Sequence, residues 1–236
     1  MGVLSSCTQE HQTLTVFAGK GLKKAVDEIV VNFEKKESVS ISVIYAGSKT
    51  LLDTIQKTQK GDIFIPGSQS YIKQAGKLII NKAPIAYHTP TFIVLSETAS
   101  QLKTLEDLMH KDVRIALGNK HMSAIGRVSE AIINDIPKGE QLRKNIVITA
   151  STVNELIQLV KTKHVNAALV WKDMLMWQSA KGMTEIKIPK QFNKSKKIVV
   201  SSLKFTQNKR LADLFVNYSS SDEARKIFEK HGFDRL

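Results

Sequence analysis

The chain has 236 residues, 42% hydrophobic and 24% charged, with five prolines. That composition excludes disorder, collagen-like repeats and mucin-like stalks. No apolar run approaches the ~20 residues that span a bilayer, and the length allows one large domain or two small ones, each with its own core. The net charge of +13 admits nucleic acid, an anionic membrane surface or a small anion as partner. The lysines are scattered, in doublets such as Lys23-Lys24, Lys35-Lys36 and Lys196-Lys197, and only six arginines are present. Base-edge reading favours arginine forks, so the pattern is that of a solvated lysine-rich surface and nucleic acid is not expected as a partner.

At the N-terminus, Leu4-Ser5-Ser6-Cys7 resembles a bacterial lipobox, in which the chain is cut before Cys and the thiol is lipidated. Residues 1–12 then read as a polar tether with Cys7 as the lipidation site. The apolar stretch that precedes a lipobox is absent. Either the sequence begins inside a signal peptide or the four-residue match is coincidental. Cys7 is the single cysteine, so no internal disulfide forms, and there is no metal-finger spacing.

From Thr13 onward, short apolar runs alternate with helical patterns. Leu14 to Phe17 reads as a buried strand, followed by a helix with Leu22, Val26, Ile29, Val30 and Phe33 on one face. Ser40 to Tyr45 is a strand, Leu51, Leu52 and Ile55 mark a helix, and Ile63 to Ile65 is a strand closed by Pro66-Gly67. This order predicts right-handed crossovers in a mostly parallel α/β sheet. The pattern restarts after Tyr87-His88-Thr89-Pro90. Strand Thr91 to Leu95, helix Leu102 to Met109, strand Val113 to Leu117 and helix Ser123 to Asp135 follow. Next come strand Ile146 to Ile148, helix Val153 to Lys161 and strand Ala167 to Trp171. A lysine-rich loop, strand Ile198 to Leu203 and helices near Asn208 to Tyr218 and Ser221 to Lys230 close the chain, with Gly232 as the stop. The breaks predict two lobes, 13–87 with 196–236 and 88–195, joined by short crossings that make a hinge.

Ligands of open α/β sheets bind beyond the carboxyl ends of the strands. Four strand-to-helix turns stand there: Ala18-Gly19-Lys20-Gly21, Ala46-Gly47-Ser48-Lys49, Ser123-Ala124-Ile125-Gly126 and Ser151-Thr152-Val153-Asn154. Each opens a helix whose first N–H groups lack intrahelical partners and whose positive end favours an anion. Thr152 and Glu155 fit a capping box, which leaves the Val153 and Asn154 amides outward. A single such turn is commonplace in α/β proteins; four in one chain point to an anion.

These residues also carry a family resemblance. Leu14 to Leu22, Tyr45-Ala-Gly-Ser-Lys-Thr-Leu51, Gly61-Asp-Ile-Phe-Ile-Pro-Gly67, Ala124-Ile-Gly-Arg127, Ala167-Ala-Leu-Val-Trp171 and the tail Ala224 to Phe233 resemble the molybdate-binding proteins of ABC importers. The resemblance runs from about Thr13 to Phe233. It implies a type II periplasmic-binding fold in the α/β class, with each lobe a mostly parallel sheet flanked by helices and the ligand in the cleft. It also implies a non-catalytic, monomeric solute receptor outside the cytoplasmic membrane, with an ABC permease as partner and no cofactor. In the family, hydroxyls and backbone amides hold a tetrahedral oxyanion. Ser48 matches a family serine, and Ile125 and Val153 match amide donors. Gly21 stands where the family has a serine, and Trp171 where it often has a tyrosine whose hydroxyl the indole N–H replaces in another direction. Lys20 beside Gly21 offers a charged donor instead. Tungstate, sulfate or a metal chelate are alternative ligands, and a clamshell enzyme is the more distant one.

Asp62 reads as fixing a turn, His88 as a hinge hydrogen-bonder, and His121 as a residue near the third ligand turn. No histidine cluster supports a metal site. A Ser48-His88-Asp173 triad can be written on paper, but no G-x-S-x-G elbow accompanies it.

Overall fold

A computed structural model describes residues 13–236, so Cys7 and the tether lie outside the described residues. The described chain divides into two compact units, one holding residues 13–85 with 197–227 and 236, the other 86–196 with 228–235. The sequence pattern assigns 196–236 to the first lobe, whereas in the structure 228–235 belong to the second unit.

The first unit is a five-stranded sheet in the order β2-β1-β3-β10-β4. Its strands are β1 (Thr13–Gly19), β2 (Ser40–Ala46), β3 (Ile63–Ile65), β4 (Ile79–His88) and β10 (Lys196–Leu203). β1 pairs in parallel with β2 and β3, and β10 runs antiparallel to β3. Helices α1 (Lys23–Glu37) and α2 (Ser48–Thr58) are the crossovers, and both pack on β1 and β2. The predicted apolar face of α1 is buried from Ala25 to Phe33, and the rings of Phe33 and Phe215 meet at 5.0 Å. Each such side chain removed from water contributes roughly 1.5–3 kcal/mol. The short helix α3 (Gln69–Ala75) and the long strand β4 were not predicted. β4 contains Pro84, which reads as a strand breaker in the sequence, but β4 lies at the sheet edge, where a missing N–H is tolerated.

The second unit repeats the plan with the order β7-β6-β8-β5-β9. Its strands are β5 (Pro90–Leu95), β6 (Ile115–Gly118), β7 (Ile146–Ala150), β8 (Ala167–Trp171) and β9 (Met183–Ile186). β6 runs parallel to β7 and β8, whereas β5 is antiparallel to β8 and β9. Helices α4 (Ala124–Asp135), α5 (Gly139–Lys144) and α6 (Val153–Lys161) pack against it, and α7 (Lys209–Ser219) and α8 (Asp222–Lys230) end the chain.

The helix expected at 102–109 is corrected to turns with one 3-10 turn, Asp107–Met109. Leu102, Leu105 and Leu108 are buried as the spacing suggests. However, the Asp107 carboxylate accepts the Lys103 and Thr104 N–H groups at 2.8 Å each, and Thr104 Oγ1 accepts the Asp107 N–H. Those local bonds compete with a regular helix, and the two amides hold the Asp107 carboxyl below its ordinary value.

Candidate functional site

In the first unit, three strand ends meet at one point. Gly19 ends β1 opposite Ala46 of β2, and β3 is followed by Pro66-Gly67. Ser48 is the first residue of α2, and its Oγ accepts the Gly67 N–H at 3.1 Å. A Cβ on Gly19 would lie 3.2 Å from Gly67 N and 3.7 Å from Ser48 Oγ, so the three turns are in close packing. Because Ser48 Oγ accepts from Gly67, its own hydrogen remains available for another acceptor. Gly47, the cap of α2, has no side chain to bond the first amides, which leaves the Ser48, Lys49 and Thr50 N–H groups without intrahelical partners.

Lys20 and Gly21 occupy the exposed 3-10 turn between β1 and α1. A Cβ at Gly21 would meet nothing within 4 Å. The Lys20 ammonium has no ion pair among the described residues, whereas Lys49 is held by Asp53 at 2.8 Å. Beside this turn, the Tyr45 hydroxyl donates to Asp27 at 2.6 Å and Lys23 Nζ lies 4.6 Å from the Tyr45 ring centroid. Burial first, and then the Asp27 carboxylate, push the Tyr45 phenol up from its ordinary value.

In the second unit, β7, β6 and β8 lie side by side and end at Ala150, Gly118 and Trp171. Asn119 links the first two, donating its N–H to Ala150 O at 2.7 Å, while its side chain accepts the His121 N–H at 2.9 Å. Ser123 caps α4: its Oγ accepts the Gly126 N–H at 3.1 Å and donates to Asn119 O at 3.0 Å. The Ala124 and Ile125 amides are left as the open donors of the first turn, and the Ile125 side chain is buried. Gly126 is required by close approach, since a Cβ there would sit 2.4 Å from Asn119 C and O.

Thr152 caps α6, accepting the Glu155 N–H at 3.2 Å. The return bond differs from a regular capping box: the Glu155 carboxylate accepts the N–H of Ser151 instead of Thr152, at 2.9 Å. Val153 and Asn154 keep open amides. Met122, 67% exposed, bridges the two turns through a Ser151 Oγ to Sδ contact of 3.5 Å.

Trp171 is 6% exposed and stacks on His88, with ring centroids 4.0 Å apart. His88 Nε2 lies 2.8 Å from Asp173 Oδ1. Two members of the paper triad therefore meet, but Ser48 hydroxyl pairs with Gly67 and bonds no histidine among the described residues. Asp62 does more than fix its turn, since its carboxylate accepts Thr15 N–H at 2.7 Å and Thr206 Oγ1–H at 2.6 Å, stitching β1 to the segment after β10. His121 is exposed and lines, with Lys120, Glu130 and Arg143, a cavity of about 430 Å³. The Arg143 fork there is already filled by Glu130, Glu140 and Asn134, so it offers no fork to an anion.

The predicted residues thus fall into two sets: Lys20, Gly21 and Ser48 at the strand ends of the first unit, and Ile125, Val153 and Trp171 at those of the second. Gly67 and Asn119 were not singled out as site residues, and His88 and Asp173 were paired only in the paper triad. Pro66-Gly67 closing a strand beside two other glycine turns was the available signal for the first. Among the described residues no cluster of His, Cys, Asp or Glu could hold a metal ion, and no helix is long and apolar enough to cross a membrane.

Known proteins share this arrangement. The substrate-binding domain of a molybdenum ABC transporter from Clostridium difficile superposes with a TM-score of 0.86 at 21% identity, over 95% of this chain and 99% of that one. PEB3 in its L-phospholactate-bound crystal structure gives 0.73 at 22% identity, over 94% and 100%. At these identities the likeness establishes the fold alone, the α/β periplasmic-binding-protein fold. In sequence, the molybdate-binding protein ModA of Mycobacterium tuberculosis is 22% identical over 234 residues, 96% of this chain and 86% of that protein. The model of the family described as bacterial extracellular solute-binding protein matches residues 14–234, and the chain belongs to that family.

Proposed function

We propose that this protein captures a tetrahedral oxyanion, molybdate first, outside the cytoplasmic membrane and delivers it to an ABC permease. The observation that carries the reading is Ser48: it opens an uncapped helix, and its oxygen accepts the Gly67 N–H, which leaves its hydrogen available for a further acceptor. In this reading Ser48, the turn at Lys20-Gly21, the Ile125 and Val153 amides and the Trp171 indole N–H share the anion's oxygens. The two units act as the lobes of a clamshell that close on the ligand about a hinge. Neutral dipoles suit a dehydrated oxyanion because helix ends attract it without a cation. The naming of relatives for molybdate points the same way. The protein acts as a monomer, and Cys7 anchors it by a lipid at the outer face of the membrane. Expressed from its full gene in a bacterial host, the wild type then fractionates with membranes and Cys7→Ser is released; soluble wild type refutes the anchor.

A second reading is a phosphorylated organic anion, as PEB3 binds L-phospholactate. The open space at Gly21, where the resemblance expects a serine, favours it. A thermal-shift panel separates the two, since a ligand at ~100 times its dissociation constant adds about 2.7 kcal/mol of stability. Molybdate and tungstate raise the melting temperature under the first reading and L-phospholactate under the second. No shift with any of them, or with sulfate, removes both.

A further inference from the structure

The second unit contains a buried polar pair to which the anion-binding reading gives no task. His88 is 8% exposed and Asp173 3%. His88 Nε2 and Asp173 Oδ1 share a hydrogen bond of 2.8 Å. This bond fixes the imidazole in its plane. The ring lies on the Trp171 indole with an interplanar angle of 24°, and Phe233 closes on it at 5.5 Å.

The segment carrying Phe233 is itself secured. Tyr87 and Asp234 exchange backbone hydrogen bonds of 2.8 and 3.1 Å, and Lys172 pairs with Asp234. Gly232, at φ +88°, passes so close that a Cβ would lie 2.8 Å from Asp173 Cα. The Trp171 indole nitrogen, by contrast, has no hydrogen-bond partner among the described residues. An indole has one donor, fixed in the ring plane. That donor serves a ligand only if the plane is held.

We propose that His88 is a positioning residue for the anion site: held by Asp173 and backed by Phe233, it fixes the Trp171 ring and so the direction of its N–H. This rests on the reading of Trp171 as an anion donor. Stacked ring pairs are worth about 0.5–1.5 kcal/mol beyond burial, which is roughly two- to tenfold in binding.

The test is a double-mutant cycle read by calorimetry with sodium molybdate. His88→Gln keeps an amide donor for Asp173 and removes the ring. Trp171→Phe and His88→Gln are each expected to weaken binding about fivefold, and the double variant to be no weaker than Trp171→Phe alone. Losses that multiply in the double variant, or wild-type binding by His88→Gln, overturn the proposal. His88→Phe keeps the stack without the hydrogen bond that holds it and is expected to weaken binding less than His88→Gln; should His88→Gln fail to fold, His88→Ala, which also removes the ring, takes its place, and wild-type binding by it overturns the proposal. Wild-type binding by Trp171→Phe shows a different failure, that of the reading beneath, and removes the proposal with it. A readout independent of any ligand is acrylamide quenching of Trp171 emission in a Trp177→Phe background. His88→Gln is expected to raise it about twofold as the indole is freed, and unchanged quenching overturns the proposal even if no anion binds.

Discussion

The strand ends of the two units solve one problem in different ways. In the first unit, α2 begins after Gly47, so its three leading amides and the Ser48 hydroxyl all remain to be used. In the second, Ser123 and Thr152 cap α4 and α6, consuming the Gly126 and Glu155 amides and leaving two donors on each helix. A cap gives up one donor and, in return, fixes the two beside it. The first unit therefore keeps a larger donor set, tied by the Ser48–Gly67 bond and the Gly19 contact, and the second a smaller one fixed by its caps and by the tighter packing at Gly126.

That contrast can be broken at its stiffest point. Gly126→Ala forces a methyl into the Asn119 carbonyl at 2.4 Å and is expected to destabilise the protein by about 3 kcal/mol in denaturant unfolding. At the loose end, Gly21→Ala meets open space and is expected to change stability by less than about 0.5 kcal/mol. Gly21→Ser should add a hydroxyl donor and tighten molybdate binding. Similar destabilisation by the two alanine variants would erase the distinction.

Next in size is Ser48→Ala, expected to weaken oxyanion binding by roughly 1.5–3 kcal/mol, the worth of a hydrogen bond to a charged group. Calorimetry at equal affinity would remove Ser48 from the site. Thr152→Ala is expected to cost about 1 kcal/mol of stability as a lost cap, with a smaller loss of affinity, because the Val153 amide stays but is less firmly held. Since Lys20 is exposed, its help is Coulombic and screened. Lys20→Ala is expected to weaken binding severalfold at low salt and hardly at all near 1 M, where the Debye length is about 3 Å. An equal loss at both salt concentrations would mean a contact pair, and no loss at either a bystander.

The smallest effect is on alkaline stability. Folding raises the Tyr45 phenol above its ordinary 10.0, so the neutral form is favoured in the folded chain. Its contribution is complete below pH 10 and is lost as the pH rises further, where the unfolded chain ionises first. Tyr45→Phe should flatten the decline in stability above pH 10, and an unchanged slope would contradict the Asp27–Tyr45 contact.

Much of this was legible in the sequence where one residue's surroundings are local. The apolar face of α1, the glycine and serine turns, and the caps Ser123 and Thr152 are written within a few positions of where they act. Elements failed for two reasons: β4 lies at a sheet edge that tolerates Pro84, and over 102–109 the side chains of Asp107 and Thr104 bond nearby amides in place of a regular helix. The Ser48–Gly67 and His88–Asp173 contacts join residues 19 and 85 positions apart. Such contacts follow from strand order, which periodicity does not encode.

The most direct measurement is the anomalous scattering of molybdenum in crystals grown with sodium molybdate. One molybdenum site per chain is expected, with its oxygens within about 3 Å of Ser48 Oγ and of the Ile125 and Val153 amide nitrogens. A site elsewhere on the surface, or none at saturating molybdate, would contradict the assignment of these strand ends as the oxyanion site.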